Sequence, residues 1–329
     1  MPQFPAFELP VLIASMAITG LVASAAIQAE TFPSRPVKLV VGVPPGTAPD
    51  IVARTLAQAM ERSLGQSVVV ENRLGAGGTL ATSAVASAPP DGHTLNVSGC
   101  SGDSIVHAYV TSGRPPLVPF RDLTPVGRLM RDHWLVVVSP ELGVSTLQQF
   151  RELARSRSEA MAFPSQGEGS SPHLQGERLA RALGIKSLHV PYKDSAVNDL
   201  IAGRLGFAVQ GSASVAELVR SGRLKALAVL SRERLAALPD VQTAEEAGLP
   251  NHHYNGGVCL WAPGATPVPA LIRLNEALNT AAGDPAVRRR FDSLGVEPVA
   301  GNLTDTAKFV AEFMAESDRL RESVLGKGR

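Results

Sequence analysis

The chain has 329 residues, 44% of them hydrophobic and only 5% aromatic, with a formal net charge of +1. That length suits two domains of ordinary size whose cores are built mainly from Val, Leu and Ala. Arg288-Arg289-Arg290 is the one tight basic cluster, and so balanced a chain excludes a nucleic-acid-binding face.

Residues 1–29 hold no Lys or Arg and one acid, Glu8. Val11 to Ala26 is apolar or small but broken by Ser15, Thr19, Gly20 and Ser24, too short and interrupted for a membrane span. It predicts a secretory signal cleaved after Ile27-Gln28-Ala29 and export to the periplasm, although the usual positive leader is missing. Val37-Lys38-Leu39-Val40-Val41 predicts a buried strand that runs into Pro44-Pro45-Gly46. A helix is expected over 49–64, with Val52, Leu56, Met60 and Leu64 on one face and Gly65 at its end. Thr47 and Asp50 are spaced as a capping box. A strand–loop–helix joint of this kind aims free N–H groups and the positive end of a helix dipole at one point, which suits a small anion such as a carboxylate.

A strand at 67–71 leads to Gly75-Ala76-Gly77-Gly78 and a helix over 79–88. The dinucleotide spacing G-x-G-x-x-G fails at Leu80, so tight packing is expected there and no cofactor. A turn at 89–92 and a strand at 94–97 follow, then a loop carrying Ser98, Ser101, Asp103 and Ser104. Val126 to Val138 is apolar strand material interrupted at Arg131-Asp132 and is expected to cross into a second domain. After a helix at 146–156, Met161-Ala162-Phe163 enters the loop Pro164 to Ser170. Ser171 is placed as N-cap and Pro172 as first helical residue, so the anion-binding device is built twice. Strands at 188–190, 207–210 and 226–230 alternate with helices. A linker at 232–254 leads to a returning strand at 258–262 and helices at 268–282, 285–293 and 304–325.

The pattern is an α/β domain with a second one inserted, a hinged clamp whose ligand loops follow strands. The expected boundaries are 1–29 for the signal, 30–131 and 255–329 for the first lobe, and 132–254 for the second. Cys100 and Cys259 are either a disulfide or two buried thiols. His173 stands beside Ser170 and Ser171, but no G-x-S-x-G elbow or third triad member accompanies them, so no catalytic residue and no enzyme is expected. Adjacent His252 and His253 would point to opposite faces of a strand, so no metal site is expected.

Several stretches together resemble the Bug-type receptors, the extracytoplasmic solute-binding proteins of tripartite tricarboxylate transporters. They are PSRPVKLVVGVPPGTAPDIVARTLAQAM at 33–60, GQSVVVENRLGAGGTLATSAVASAPPDGHTL at 65–95, GEGSSPHLQGERLARALGI at 167–185, HVPYKDSAVNDLIAGRL at 189–205, GRLKALAVLSRERLAALPDVQTAEEAGLP at 222–250 and LWAPGATPVP at 260–269. The resemblance implies a two-lobed periplasmic-binding-protein fold of type 2, a Venus flytrap with a mostly parallel sheet in each lobe. It further implies a small carboxylate ligand, delivery to membrane transporter subunits, and a monomer. In the family, ligand carboxylates are held by amides, hydroxyls and waters of the matching loops. Carried over by position, this nominates Pro45, Gly46, Thr47 and Asp50 in the first lobe and Ser165, Gly167, Gly169, Ser170 and His173 in the second, with Ser98, Ser101 and Ser104 in the third loop. The chain departs from the family at Thr47 (usually Gly), at Glu168 (often Asn) and at Gln210, where an acid used near ligand amines is frequent. Glu168 and Asp103 are expected to face water. The rival readings are a sensor built on the same clamp and, more remotely, an α/β enzyme using the loop at 75–78.

Overall fold

The computed structural model describes residues 32–75, 78–101, 117–192 and 195–326. The expected signal segment lies outside them, as do Asp103 and Ser104. The first sheet grows from β1 (Val37–Val41), where Val37, Leu39 and Val41 join one core cluster and Val40 the opposite one, the alternation of a strand covered on both faces. α1 (Ala48–Leu64) buries Val52, Leu56, Met60 and Leu64 in the first of these clusters and stops at Gly65. β2 (Val68–Asn72) and, beyond α2 (Thr79–Ala86), β3 (Thr94–Gly99) flank β1 in parallel. β4 (Leu123–Arg131) ends just before β5 (Trp134–Val138), and the two lie in different sheets. The apolar stretch passes from one sheet to the other at Asp132-His133.

The second lobe continues with α3 (Leu147–Ser156), β6 (Met161–Ser165), α4 (Ser171–Leu183), β7 (Ser187–Pro191), α5 (Val197–Ile201), β8 (Ala208–Gly211), α6 (Ser212–Arg220) and β9 (Lys225–Val229). β5 is buried throughout, with Trp134, Val136 and Val138 in one cluster and Leu135 and Val137 in another, which is why it is an unbroken apolar run. β6 and β7 pair in parallel, and the Ala162 carbonyl accepts from the Gly206 N–H at 2.8 Å, which sets the start of β6 beside the start of β8. The chain returns in β10 (Gly257–Pro263) and ends with α7 (Val268–Gly283), α8 (Pro285–Leu294), β11 (Glu297–Pro298) and α9 (Leu303–Leu325).

The two-lobed α/β architecture is present, and in each main sheet most strands run the same way, with β5, β10 and β11 reversed. The strand orders are β11-β4-β10-β3-β1-β2 and β8-β5-β9, with β10 antiparallel to β3 and β4, and β5 antiparallel to β8 and β9. A strand reached through a crossover helix re-enters its sheet from the same edge and runs parallel. β5 and β10 instead arrive from the other lobe, at the edge where the parallel strands end, and so run the other way. Cys100, one residue past β3, is bonded to Cys259 in β10, with both residues fully buried and their Cα atoms 5.0 Å apart. The two cysteines are therefore a disulfide, and the loop it closes contains the whole second sheet.

Candidate functional site

Trp134, the first residue of β5, pairs with Gly211, the last of β8, while Arg131 ends β4. The carboxyl ends of strands in both lobes therefore border the same crossing segment, the side on which the loops leaving β1, β6 and β8 emerge. Contacts at this border include Ser212 N–H donating to the His133 carbonyl at 2.6 Å and the Tyr254 hydroxyl 3.4 Å from Ser171 Oγ.

One device stands on each side. In the first lobe Pro44 to Thr47 forms a type II turn: Thr47 N–H donates to the Pro44 carbonyl at 3.3 Å, and Gly46 has φ +83°, which glycine adopts without strain. Thr47 Oγ1 donates to the same carbonyl at 2.8 Å, and Asp50, third residue of α1, accepts the Gly46 N–H at 2.9 Å. In the second lobe Ser170 N–H and Oγ donate to the Gly167 carbonyl at 3.2 and 2.7 Å, and His173, third residue of α4, accepts the Gly169 N–H on Nδ1 at 3.0 Å. Pro49 and Pro172 hold the second helical position in each.

Two expectations about the caps are thereby corrected. Asp50 reaches back to Gly46 rather than to Thr47, and the N-cap of α4 is Ser170, not Ser171. A proline at the second position removes one N–H from which a capping hydroxyl would accept, and both hydroxyls turn back to donate instead.

Side chains from the neighbouring strand hold each device. Asn72, ending β2, donates to Asp50 Oδ1 at 2.8 Å and to the Val43 carbonyl at 3.0 Å; Arg54 Nε lies 3.0 Å from Asp50 Oδ2. Burial would raise the Asp50 carboxyl, but the bonds from Arg54, Gly46 and Asn72 outweigh it and hold the group below its ordinary value. Gly42 is fixed by a close approach, since a Cβ there would stand 2.7 Å from Gly78 Cα, which is tight packing at the start of α2. In the second lobe Ser165 Oγ donates to the Gly167 carbonyl and accepts the Gly167 N–H, both at 2.9 Å, and lies 2.6 Å from His189 Nε2. The His189 ring stacks on that of His173 with centroids 3.9 Å apart. Burial, and then the neighbouring His189, push His173 down to about 4. With Nδ1 accepting from Gly169, its ring proton sits on Nε2, a neutral donor.

The other nominated residues are placed as follows. Pro45 and Gly46 are exposed and Thr47 is half-buried, whereas Ser165, Gly167, Gly169, Ser170 and His173 are all buried. Ser98 belongs to β3, opposite Cys259, rather than to the loop beyond, and Ser101 is buried. Gln210 lies in β8 opposite Leu135, and the small-residue loop expected at 211–214 is already helix from Ser212. Glu168 is exposed, in keeping with a side chain turned to water.

Asp132, at the crossing itself, was not anticipated. Trp134 Nε1 donates to its Oδ2 at 2.9 Å, Oδ1 is buried with no hydrogen-bond partner among the described residues, and burial raises the carboxyl to about 7 against the pull of Trp134, Arg128 and Ser212. Asn72 and His189 also escaped notice, because only strand pairing brings them to Asp50 and Ser165, 22 and 24 residues earlier in the chain. A cavity of about 290 Å³ lined by Arg151, Arg155, Leu183 and Leu249 lies at the far end of α4, away from these loops.

Two α/β lobes joined by crossing segments, each turning a braced glycine loop and a helix N-terminus to the shared border, define a two-lobed solute-binding receptor. The chain belongs to the tripartite tricarboxylate transporter receptor family, whose pattern matches residues 52–325. It is 34% identical over 294 residues to Protein BugT of Bordetella pertussis, spanning 88% of this chain and 89% of that one. Its fold is similar to that of MatC from Rhodopseudomonas palustris with bound malate (31% identity, TM-score 0.79, 88% of this chain and 100% of that one). It is also similar to that of Rpa4515 of R. palustris with adipate (28% identity, TM-score 0.80, 89% and 98%). Membership of this family makes the chain a receptor rather than an enzyme.

Proposed function

We propose that this receptor captures a small organic carboxylate between its lobes in the periplasm and delivers it to membrane subunits of a tripartite tricarboxylate-type transporter. The observation that carries the reading is the device built twice, Pro44 to Asp50 and Gly167 to His173, at a shared border. In each, the first-turn N–H groups have no intrahelical partner and the helix dipole favours an anion. The malate and adipate held by the two structural relatives support a carboxylate.

The lobes are 30–131 with 255–329, and 132–254. Contacts to the ligand come from Thr47 and the first turn of α1, from Ser98, Ser101 and Gln210, and from Ser170 and His173 Nε2–H. Pro45 and Gly46 shape the first loop; Asp50, Ser165, Gly167 and Gly169 brace rather than touch, since their polar groups are engaged within the loops. Ser104, which lies outside the described residues, is nominated with them.

Neutral donors suffice. Micromolar binding needs about 8 kcal/mol. Hydrogen bonds to a charged group contribute roughly 1.5–3 kcal/mol each, so four to six cover it after the cost of immobilisation. A thermal-shift panel of malate, adipate, succinate, citrate and amino acids tests the reading. A ligand at a hundred times its dissociation constant adds about 2.7 kcal/mol of stability. Flat melting temperatures across the carboxylates would defeat the proposal.

A further inference from the structure

We propose that His189, on the strand beside the second-lobe loop, is the residue that positions that loop for its anion, acting through Ser165 and His173 without touching the ligand. This rests on the carboxylate reading of the site.

The geometry is specific. Ser165 Oγ spends its one proton on the Gly167 carbonyl, so the 2.6 Å contact with His189 Nε2 is a bond that His189 donates. Ser165 then holds both the N–H and the carbonyl of Gly167. That carbonyl in turn anchors Ser170, the cap of α4. At the other end of the loop His173 holds the Gly169 N–H, and its ring rests on the His189 ring at 3.9 Å. One side chain therefore supports both braces. Phe163, which His189 faces across the β6–β7 ladder, packs beside both imidazoles, with ring centroids 6.3 Å from His173 and 5.4 Å from His189.

The arrangement repeats the first lobe, where Asn72 on β2 supports Asp50. In both lobes the strand after the helix sends back one polar side chain to steady the third helical residue. The charged group acting on His189 is Glu168, in the loop itself.

His189→Ala and His189→Gln separate positioning from mere packing, because the Gln amide can donate to Ser165 while lacking the ring. Three readouts apply to the full chain: calorimetric affinity for malate, adipate, succinate and citrate; amide exchange at Gly167 and Gly169; and the NMR titration of the His173 ring. We expect His189→Ala to weaken carboxylate binding about tenfold or more, the loss of one brace. Exchange should accelerate at Gly167 and Gly169, and the His173 midpoint should move up, because the ring loses part of its burial and the neighbouring imidazole, the two things that hold it down. His189→Gln should recover affinity to within about threefold, while sharing the raised midpoint. Unchanged affinity and unchanged exchange in His189→Ala overturn the inference. Should none of the four acids bind the wild type, the carboxylate reading fails, and the exchange and titration still decide whether His189 holds the loop.

Discussion

His173 stands in the second lobe where Asp50 stands in the first: each is the third residue of its helix, and each accepts the N–H of a glycine four residues earlier, at 3.0 and 2.9 Å. The two differ in charge. Asp50 is an anion matched by Arg54, whereas His173 is a neutral imidazole. Neither leaves an uncompensated negative charge beside the helix N-terminus it braces, so the dipoles of α1 and α4 both remain available to an anion.

Replacing Asp50 by Ala leaves the Gly46 N–H without its acceptor and costs the Asn72 amide one of its two, at about 2–3 kcal/mol in urea unfolding and most of the carboxylate affinity. Because the folded carboxyl is held below its ordinary value, the stabilisation is present above the unfolded carboxylate value and is lost as pH falls through the folded one. Asp50→Ala should flatten the acid end of the stability curve. A variant with wild-type unfolding midpoint and affinity would show that the brace is idle.

His173 and His252 produce acid sensitivity at a higher pH. Both are buried and pushed down to about 4, His252 by burial first and then by Arg178 and His253. Between about 6.5 and 4 the unfolded chain takes up these protons and the folded chain does not, so stability falls as pH drops across that window. His252→Gln, compared with wild type at several pH values, should show a shallower fall. Parallel curves would assign the sensitivity elsewhere.

Asp132 acts in the opposite sense. Its carboxyl keeps a proton up to about 7 in the folded chain but loses it near 3.8 when unfolded, so stability falls as pH rises between those values. Asp132→Asn keeps an acceptor for Trp134 Nε1 and removes the buried charge. The variant should melt higher than wild type at pH 8 and nearer to it at pH 5. Equal melting differences at both values count against a buried acid at the crossing.

The Cys100–Cys259 bond closes a loop of 159 residues. The chain-entropy relation gives about 5 kcal/mol for a loop of that size. A Cys100→Ala, Cys259→Ala pair should therefore unfold at much lower urea, and thiol-free wild type should be indifferent to mild reductant because both sulfurs are buried. A double variant as stable as wild type would mean that pairing of β3 with β10 alone secures the lobe.

Much of this architecture is legible in one dimension. The Val52, Leu56, Met60, Leu64 periodicity and the Pro44-Pro45-Gly46 turn are local, and so are the C-terminal helices, whose limits fall within a residue of expectation. Strand direction is not local: β5 and β10 have the same composition whichever way they run, and only their arrival from the other lobe reverses them. Ser212 to Ser214 looked like a loop because small polar residues favour turns, yet β8 passes straight into α6. The nominated loops were readable as loops, but the residues that hold them, Asn72 and His189, become neighbours only through the β1–β2 and β6–β7 ladders.

The central claim is that one carboxylate is held by both lobes at once. Calorimetric titration of malate and adipate into wild type, Asp50→Ala and His173→Ala tests it most directly, since each variant disturbs one lobe only. We predict one site per chain in the wild type and a severe loss of affinity in both variants. Undiminished binding in either variant would contradict capture between the two devices.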